Sequence, residues 1–204
     1  MRRAWTLLPL LALWWTGCAA SVAPVEPPPL LNSERIAQTF GSYGLDVLED
    51  TDTLRVSNLY SVHDGRKVGR TFAVVRYARP LDARVRAEHA QITAGGSIGA
   101  VFKAAGWTLQ KRHRYVGAIP VEPAFERVQK LMGPFEAPAL AVHVYDLVVE
   151  RPGVLIPYAT LAEVHHPAYL AAADLQAIYG PVPTEPTAAV RSVLATALRE
   201  MAEP

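Results

Sequence analysis

ALAVHVYDLVVE at residues 139–150, then Arg151-Pro152-Gly153, then VLIPYATLAEV at 154–164, is the stretch that decides the fold. Val142, Val144, Leu147, Val148 and Val149 make the first arm strongly apolar, so it is expected near the centre of a sheet. Arg151-Pro152-Gly153 supplies turn chemistry, which makes the two arms an antiparallel hairpin. Pro157 has no N–H to give a ladder, so part of the second arm is demoted to an edge or a bulge.

Upstream, three more strand-like runs stand close together: Leu45–Leu48, Leu54–Val62 and Val68–Ala78. The acidic turn Glu49-Asp50-Thr51-Asp52 and the hairpin signal Asp64-Gly65 separate them, so an antiparallel meander is the simplest pairing. A fourth run, Trp107–Ile119, reads as a strand with Arg112 and Arg114 on one face and Lys111, His113 and Tyr115 on the other. Helical signals fill the gaps. Asn32 and Ser33 cap Glu34–Phe40, and Asp82 caps Ala83–Thr93. Past the Gly95-Gly96 break, Ser97 caps a short helix with Ile98, Val101, Phe102 and Ala105 on one face. Pro123 opens a helix whose face holds Ala124, Val128 and Leu131. Ala168–Tyr179 and Ala188–Ala202 close the chain, the latter with Val190, Val193, Leu194, Ala197, Leu198 and Met201 in an amphipathic stripe. Strands cluster early and late, with helices between them rather than in strict alternation. This predicts a single α+β domain over residues 33–204, with a mainly antiparallel sheet of about five or six strands and helices packed on one face.

Half of the 204 residues are apolar and 19% are charged, a composition that folds rather than stays disordered. Cys18 is the only cysteine, which excludes a disulfide, a thiol nucleophile or a thiolate metal site in the domain. The near-neutral total hides segregation: residues 55–114 carry a net +9, while residues 19–54 and 115–204 each carry −5. Arginine dominates the cations, and its fork suits phosphate or carboxylate. Two readings are open. Either the segments pair with each other in the fold, or Arg66, Lys67 and Arg70 join Lys111, Arg112 and Arg114 in an anion- or partner-binding patch, if their strands are neighbours.

Arg2 and Arg3 precede an apolar run from Ala4 to Trp15, the length of a secretory signal core and too short to span a bilayer. Thr16-Gly17-Cys18 closes it. Residues 1–18 resemble the lipobox-type signal peptide of bacterial lipoproteins, with Trp15 where Leu is usual. The resemblance implies that residues 1–17 are removed and that Cys18 is the lipid-attachment site, its thiol carrying diacylglycerol and its amine a palmitate-type acyl chain. Ala19 follows the cysteine where Asp would mark inner-membrane retention, so the resemblance implies the periplasmic face of the outer membrane. Residues 18–32, with Pro24 and Pro27-Pro28-Pro29, read as a Pro-rich tether between membrane and domain.

Candidate chemistry is sparse. Glu163 and His165 share a strand face and could place two ligands on one ion, with His143 a further weak candidate, but no zinc-motif spacing joins them and no metal or other cofactor is expected. Gly95-Gly96-Ser97-Ile98-Gly99 lacks the strand and the lysine of a phosphate loop, so its glycines are read as close-approach positions. No G-x-S-x-G elbow is present, so no catalytic residues are assigned. The sequence therefore points to a lipid-anchored envelope protein, a binding or assembly module rather than an enzyme. Its expected partners are the membrane, through lipidated Cys18, and anionic envelope components or an acidic protein, with nucleic acid excluded by address. The alternative is an envelope enzyme of hydrolase type, metal-dependent or not, whose site is assembled from scattered residues.

Overall fold

The computed structural model describes residues 30–133 and 135–202; Cys18, the signal-like segment and most of the tether lie outside the described residues. The first layer of the fold is α1 (Asn32–Phe40), followed by β1 (Gly44–Asp50), β2 (Leu54–His63) and β3 (Arg66–Tyr77). A 3-10 turn at Ala83–Val85 leads into α2 (Arg86–Thr93) and α3 (Ile98–Ala104). Then come β4 (Thr108–Pro120), α4 (Glu126–Met132), β5 (Ala139–Arg151), β6 (Val154–His165), α5 (Ala172–Tyr179) and α6 (Ala188–Ala202). The expected α+β domain with an antiparallel sheet is the one found. Its six strands run in the order β1-β2-β3-β6-β5-β4, every neighbouring pair antiparallel.

Two meanders, β1-β2-β3 and β4-β5-β6, therefore meet where β3 pairs β6. Local turns join β1-β2-β3 and β5-β6, while α4 connects β4 to β5. At Asp64-Gly65 both residues take positive φ (48° and 75°), the conformation whose twist matches a tight hairpin. Pro157 lies where β6 has run past its partner β3 and where the β5–β6 register shifts, so its missing donor removes no bond from a central ladder.

Helices cover both faces rather than one. Apolar residues occupy both parities of the central strands, so each face needs a cover. On one face Val142, Val144, Phe72, Val74 and Val164 pack against α4 and α6 through Val128, Met132, Val190, Val193 and Met201. On the other, Val75, Tyr145, Leu147 and Tyr158 pack against Val85, Ile92 and Phe102 of the α2–α3 region. Ile36 of α1 and Leu175 of α5 extend this second cover over Leu59, Ala73 and Ala141.

A second difference lies in β4. Its register shifts between His113 and Tyr115, so Arg114 is an extra residue with no partner in β5. Lys111 and His113 keep one face, but Tyr115 crosses to the α4–α6 core, while Val116 takes the face that simple alternation would have given Tyr115.

Candidate functional site

The face covered by α1, α3 and α5 carries a buried polar cluster, and strand alternation explains how it arises. Ser57, Ala73, Glu163 and His143 are consecutive cross-strand partners on β2, β3, β6 and β5. Ser57 and Ala73 are small, so the sheet is low there and a space stays open beneath the helices. The result is a cavity of about 80 Å³, with apolar walls that include Leu45, Leu59, Val75 and Leu161. Leu31, Asn32 and Ser33 at the start of α1, with Ser97, Ile98 and Gly99 at the start of α3, roof it. Gly99 brings the two helix starts close: a Cβ there would lie 2.4 Å from Leu31 Cδ1, the end of a flexible side chain that would have to shift.

Lys111 and Glu163 are the charged groups at the floor, their side chains only 8% and 5% exposed, with Nζ and Oε2 4.0 Å apart. That separation is an ion pair but not a hydrogen bond. Neither Lys111 Nζ nor Glu163 Oε2 has a hydrogen-bond partner among the described residues. The other carboxylate oxygen, Oε1, accepts from the Tyr145 hydroxyl at 3.1 Å. Burial and the adjacent Glu163 charge push the Tyr145 phenol well above its usual range, so it stays a donor. Lys111 Nζ also sits 4.5 Å from the centre of the Tyr145 ring.

Arg55 forms the opposite wall, 1% exposed. Its guanidinium donates to the carbonyls of Ile92 (2.6 Å) and Gly96 (3.0 Å) and to Ser57 Oγ (3.2 Å). It also faces Asp50 at 3.3 Å. Burial raises the Asp50 carboxyl, a rise that Arg55 partly offsets. Arg55 is thus spent on holding the α2–α3 connection to the sheet, leaving Lys111 and Glu163 as the charges with unused bonding capacity.

Behind them lie two histidines. His143 Nε2 meets His113 Nδ1 at 2.8 Å, and the ring of His143 stacks on Tyr179 of α5 with centroids 4.5 Å apart. His165 Nδ1 meets Thr71 Oγ1 at 3.0 Å; Thr71 also accepts from Asn32 Nδ2, and Asn32 Oδ1 accepts from Tyr169. Burial, helped by the positive Lys111, lowers His143 to about 2. Burial lowers His165 to about 4, against a raising influence from Glu163. Both are neutral at physiological pH. His143 Nδ1 and His165 Nε2 are also without hydrogen-bond partners among the described residues.

The three weak metal candidates, His143, Glu163 and His165, are thus brought to neighbouring positions on one face. Among the described residues, however, no group of three or more His, Cys, Asp or Glu is disposed to hold a metal ion. The six basic candidates are not brought together. Arg66, Lys67 and Arg70 lie at the start of β3, separated from β4, with Lys111, Arg112 and Arg114, by the intervening β6 and β5. Lys67 pairs with Asp46 and Arg114 with Asp146, while Arg70 donates to Ser61 and lies over the Phe40 ring. Arg66 and Arg112 are exposed and have no ion pair among the described residues. The charge segregation seen along the chain is largely intermixed in space, since Lys103 and Arg55 also reach back to Glu34 and Asp50.

Sequence reasoning passed over Arg55 and Tyr145 and put Lys111 on a surface. The available signal was Leu109, two residues before Lys111 on the same strand face, but only the pairing of β4 with β5 shows that this face is covered. Compared with known proteins, the chain matches no family model and no curated relative.

Proposed function

We propose that this protein is a lipid-anchored binding module of the cell envelope, held at Cys18 on the periplasmic face of the outer membrane, whose recognition site is the Lys111–Glu163 cavity. The observation that carries the binding reading is a pair of nearly fully buried charges with unused bonding capacity at the floor of a largely apolar cavity, whose polar wall groups Arg55 and Ser57 already bond each other. Buried charges are costly unless paired and hydrogen-bonded, so unsatisfied ones mark a place where another group completes the bonding. An apolar cavity with a few convergent polar groups is the usual form of a small-molecule site. The histidines support binding over acid–base chemistry, because bases lowered to about 4 and about 2 are poorly matched to proton transfer near neutral pH.

The address rests on the lipobox-like residues 16–18. Cys18→Ala should abolish labelling by radioactive palmitate and leave an unprocessed precursor; normal processing of that variant would sink the anchor. For the site, native mass spectrometry of protein released gently from membranes should show a bound small molecule that Lys111→Met loses. The rival reading, an envelope enzyme of hydrolase type, draws on the convergence of His143, Glu163 and His165. Stoichiometric zinc on the purified protein, removed by His165→Ala, would decide for that rival.

A further inference from the structure

Resting on the cavity reading above, we infer that the ligand is a small neutral molecule with a hydroxyl or primary-amide head on an aliphatic body of about three carbons. The head follows from the two open bonding positions. Lys111 Nζ can only donate and Glu163 Oε2 can only accept, so the group between them must accept from one and donate to the other. Their 4.0 Å separation suits this. An oxygen about 2.8 Å from each atom subtends an angle of about 90°, acceptable for a hydroxyl that donates one bond and accepts another. A primary amide fits side by side, its carbonyl toward Lys111 and its NH₂ toward Glu163.

Charge selects against the ionic alternatives. The floor already balances, one ammonium against one carboxylate, and Arg55 is balanced by Asp50. A carboxylate ligand would gain Lys111 but crowd Glu163, and an ammonium ligand would do the reverse. Like charges at close range in a site of low dielectric are disfavoured.

Size and body follow from the walls. A cavity of about 150 Å³ lined by aliphatic side chains accepts benzene, so one of about 80 Å³ holds roughly half as much. Leu45, Leu59, Val75 and Leu161 offer that body only apolar contact.

The test uses the full-length purified chain and four probes of matched size: propanamide, 1-propanol, propionate and propylammonium. Saturation-transfer and chemical-shift titrations by NMR measure each affinity, which for ligands this small is expected near the millimolar range. Propanamide and 1-propanol should bind saturably at one site, and at least tenfold more tightly than propionate or propylammonium. Lys111→Met and Glu163→Gln should each weaken propanamide at least tenfold. The comparison among the four probes on the unaltered protein stands even if a variant fails to fold. Equal or tighter binding of either ionic probe overturns the neutral-head assignment while leaving the cavity a binding site. Saturable binding of none of the four, with water alone bridging Lys111 and Glu163, overturns the cavity reading itself.

Discussion

Lys111 and Glu163 carry a contradiction that a single substitution exposes. In water each would be harmless, but here both are buried, so removing one leaves the other charged with no counter-ion in an apolar space. Lys111→Met should therefore lower the unfolding free energy by roughly 3–5 kcal/mol. The pair Lys111→Met with Glu163→Leu should recover most of that loss, because well-packed apolar residues can replace a buried ion pair at little cost. Urea unfolding of the two singles and the double checks this; a loss in the double equal to the sum of the two single losses would mean the residues do not act as a pair. Tyr145→Phe removes the one side-chain hydrogen bond that Glu163 makes among the described residues and should cost about 1.5–3 kcal/mol in the same measurement. At this scale the sequence was only partly legible. Glu163, His165 and His143 stood out as ligand-type residues; they fall at neighbouring positions of one face but, among the described residues, form no group disposed to hold a metal ion. Lys111 looked like surface charge because burial of a lysine leaves no mark on its neighbours in the chain.

Among the elements, β4 shows how one residue redirects half a strand. Because Arg114 is bulged, the positions from Tyr115 onward present the opposite face from the one simple alternation assigns. Arg114→Ala removes an ion pair to Asp146 from a side chain 56% exposed, so stability should change by less than about 1 kcal/mol. Deleting Arg114 is a different experiment. It removes the extra residue and leaves His113 opposite Tyr145 and Tyr115 opposite Val144 in regular alternation, so Tyr115 and Ile119 stay in the α4–α6 core. The deletion should therefore stay folded and cost little more than the alanine change, as read by circular dichroism and urea titration. A deletion variant that fails to fold would mean that the bulged backbone itself is needed, and not only the side-chain faces it sets. Most element boundaries were legible from caps, turns and periodicity. The bulge was not, since Arg112, His113 and Arg114 alternate in charge no differently from a regular exposed strand.

For the molecule as a whole, the two histidines buried in neutral form set the response to acid. In the unfolded chain each titrates near 6.5, whereas in the fold His143 falls to about 2 and His165 to about 4. Above pH 6.5 neither state is protonated and the full stability is present. As pH falls below 6.5 the unfolded chain takes up protons that the fold refuses, and stability declines toward the folded values. By pH 5 the loss should be about 2 kcal/mol for each histidine. Urea midpoints measured at pH 7.5 and pH 5.0 should differ accordingly, and His143→Asn should flatten part of the dependence. An unchanged midpoint across that range would show that these imidazoles accept protons within the fold.

The sequence by itself determined which segments are strands and helices, where the tight turns lie, and that the first three strands would form a meander and the last two a hairpin. Those outcomes depend on residues a few positions apart: caps, φ preferences and side-chain period. It also carried the lipoprotein-like start, a local motif. The tertiary structure alone decided that β3 pairs β6, that helices cover both faces, and that Ser57, Ala73, Glu163 and His143 fall in one row with Lys111 beside them. Ser57 and Glu163 are more than a hundred residues apart, and which strands become neighbours depends on how two sheets of apolar surface are most fully buried. A cavity is the part of that packing left unfilled, so no single segment of the chain encodes it.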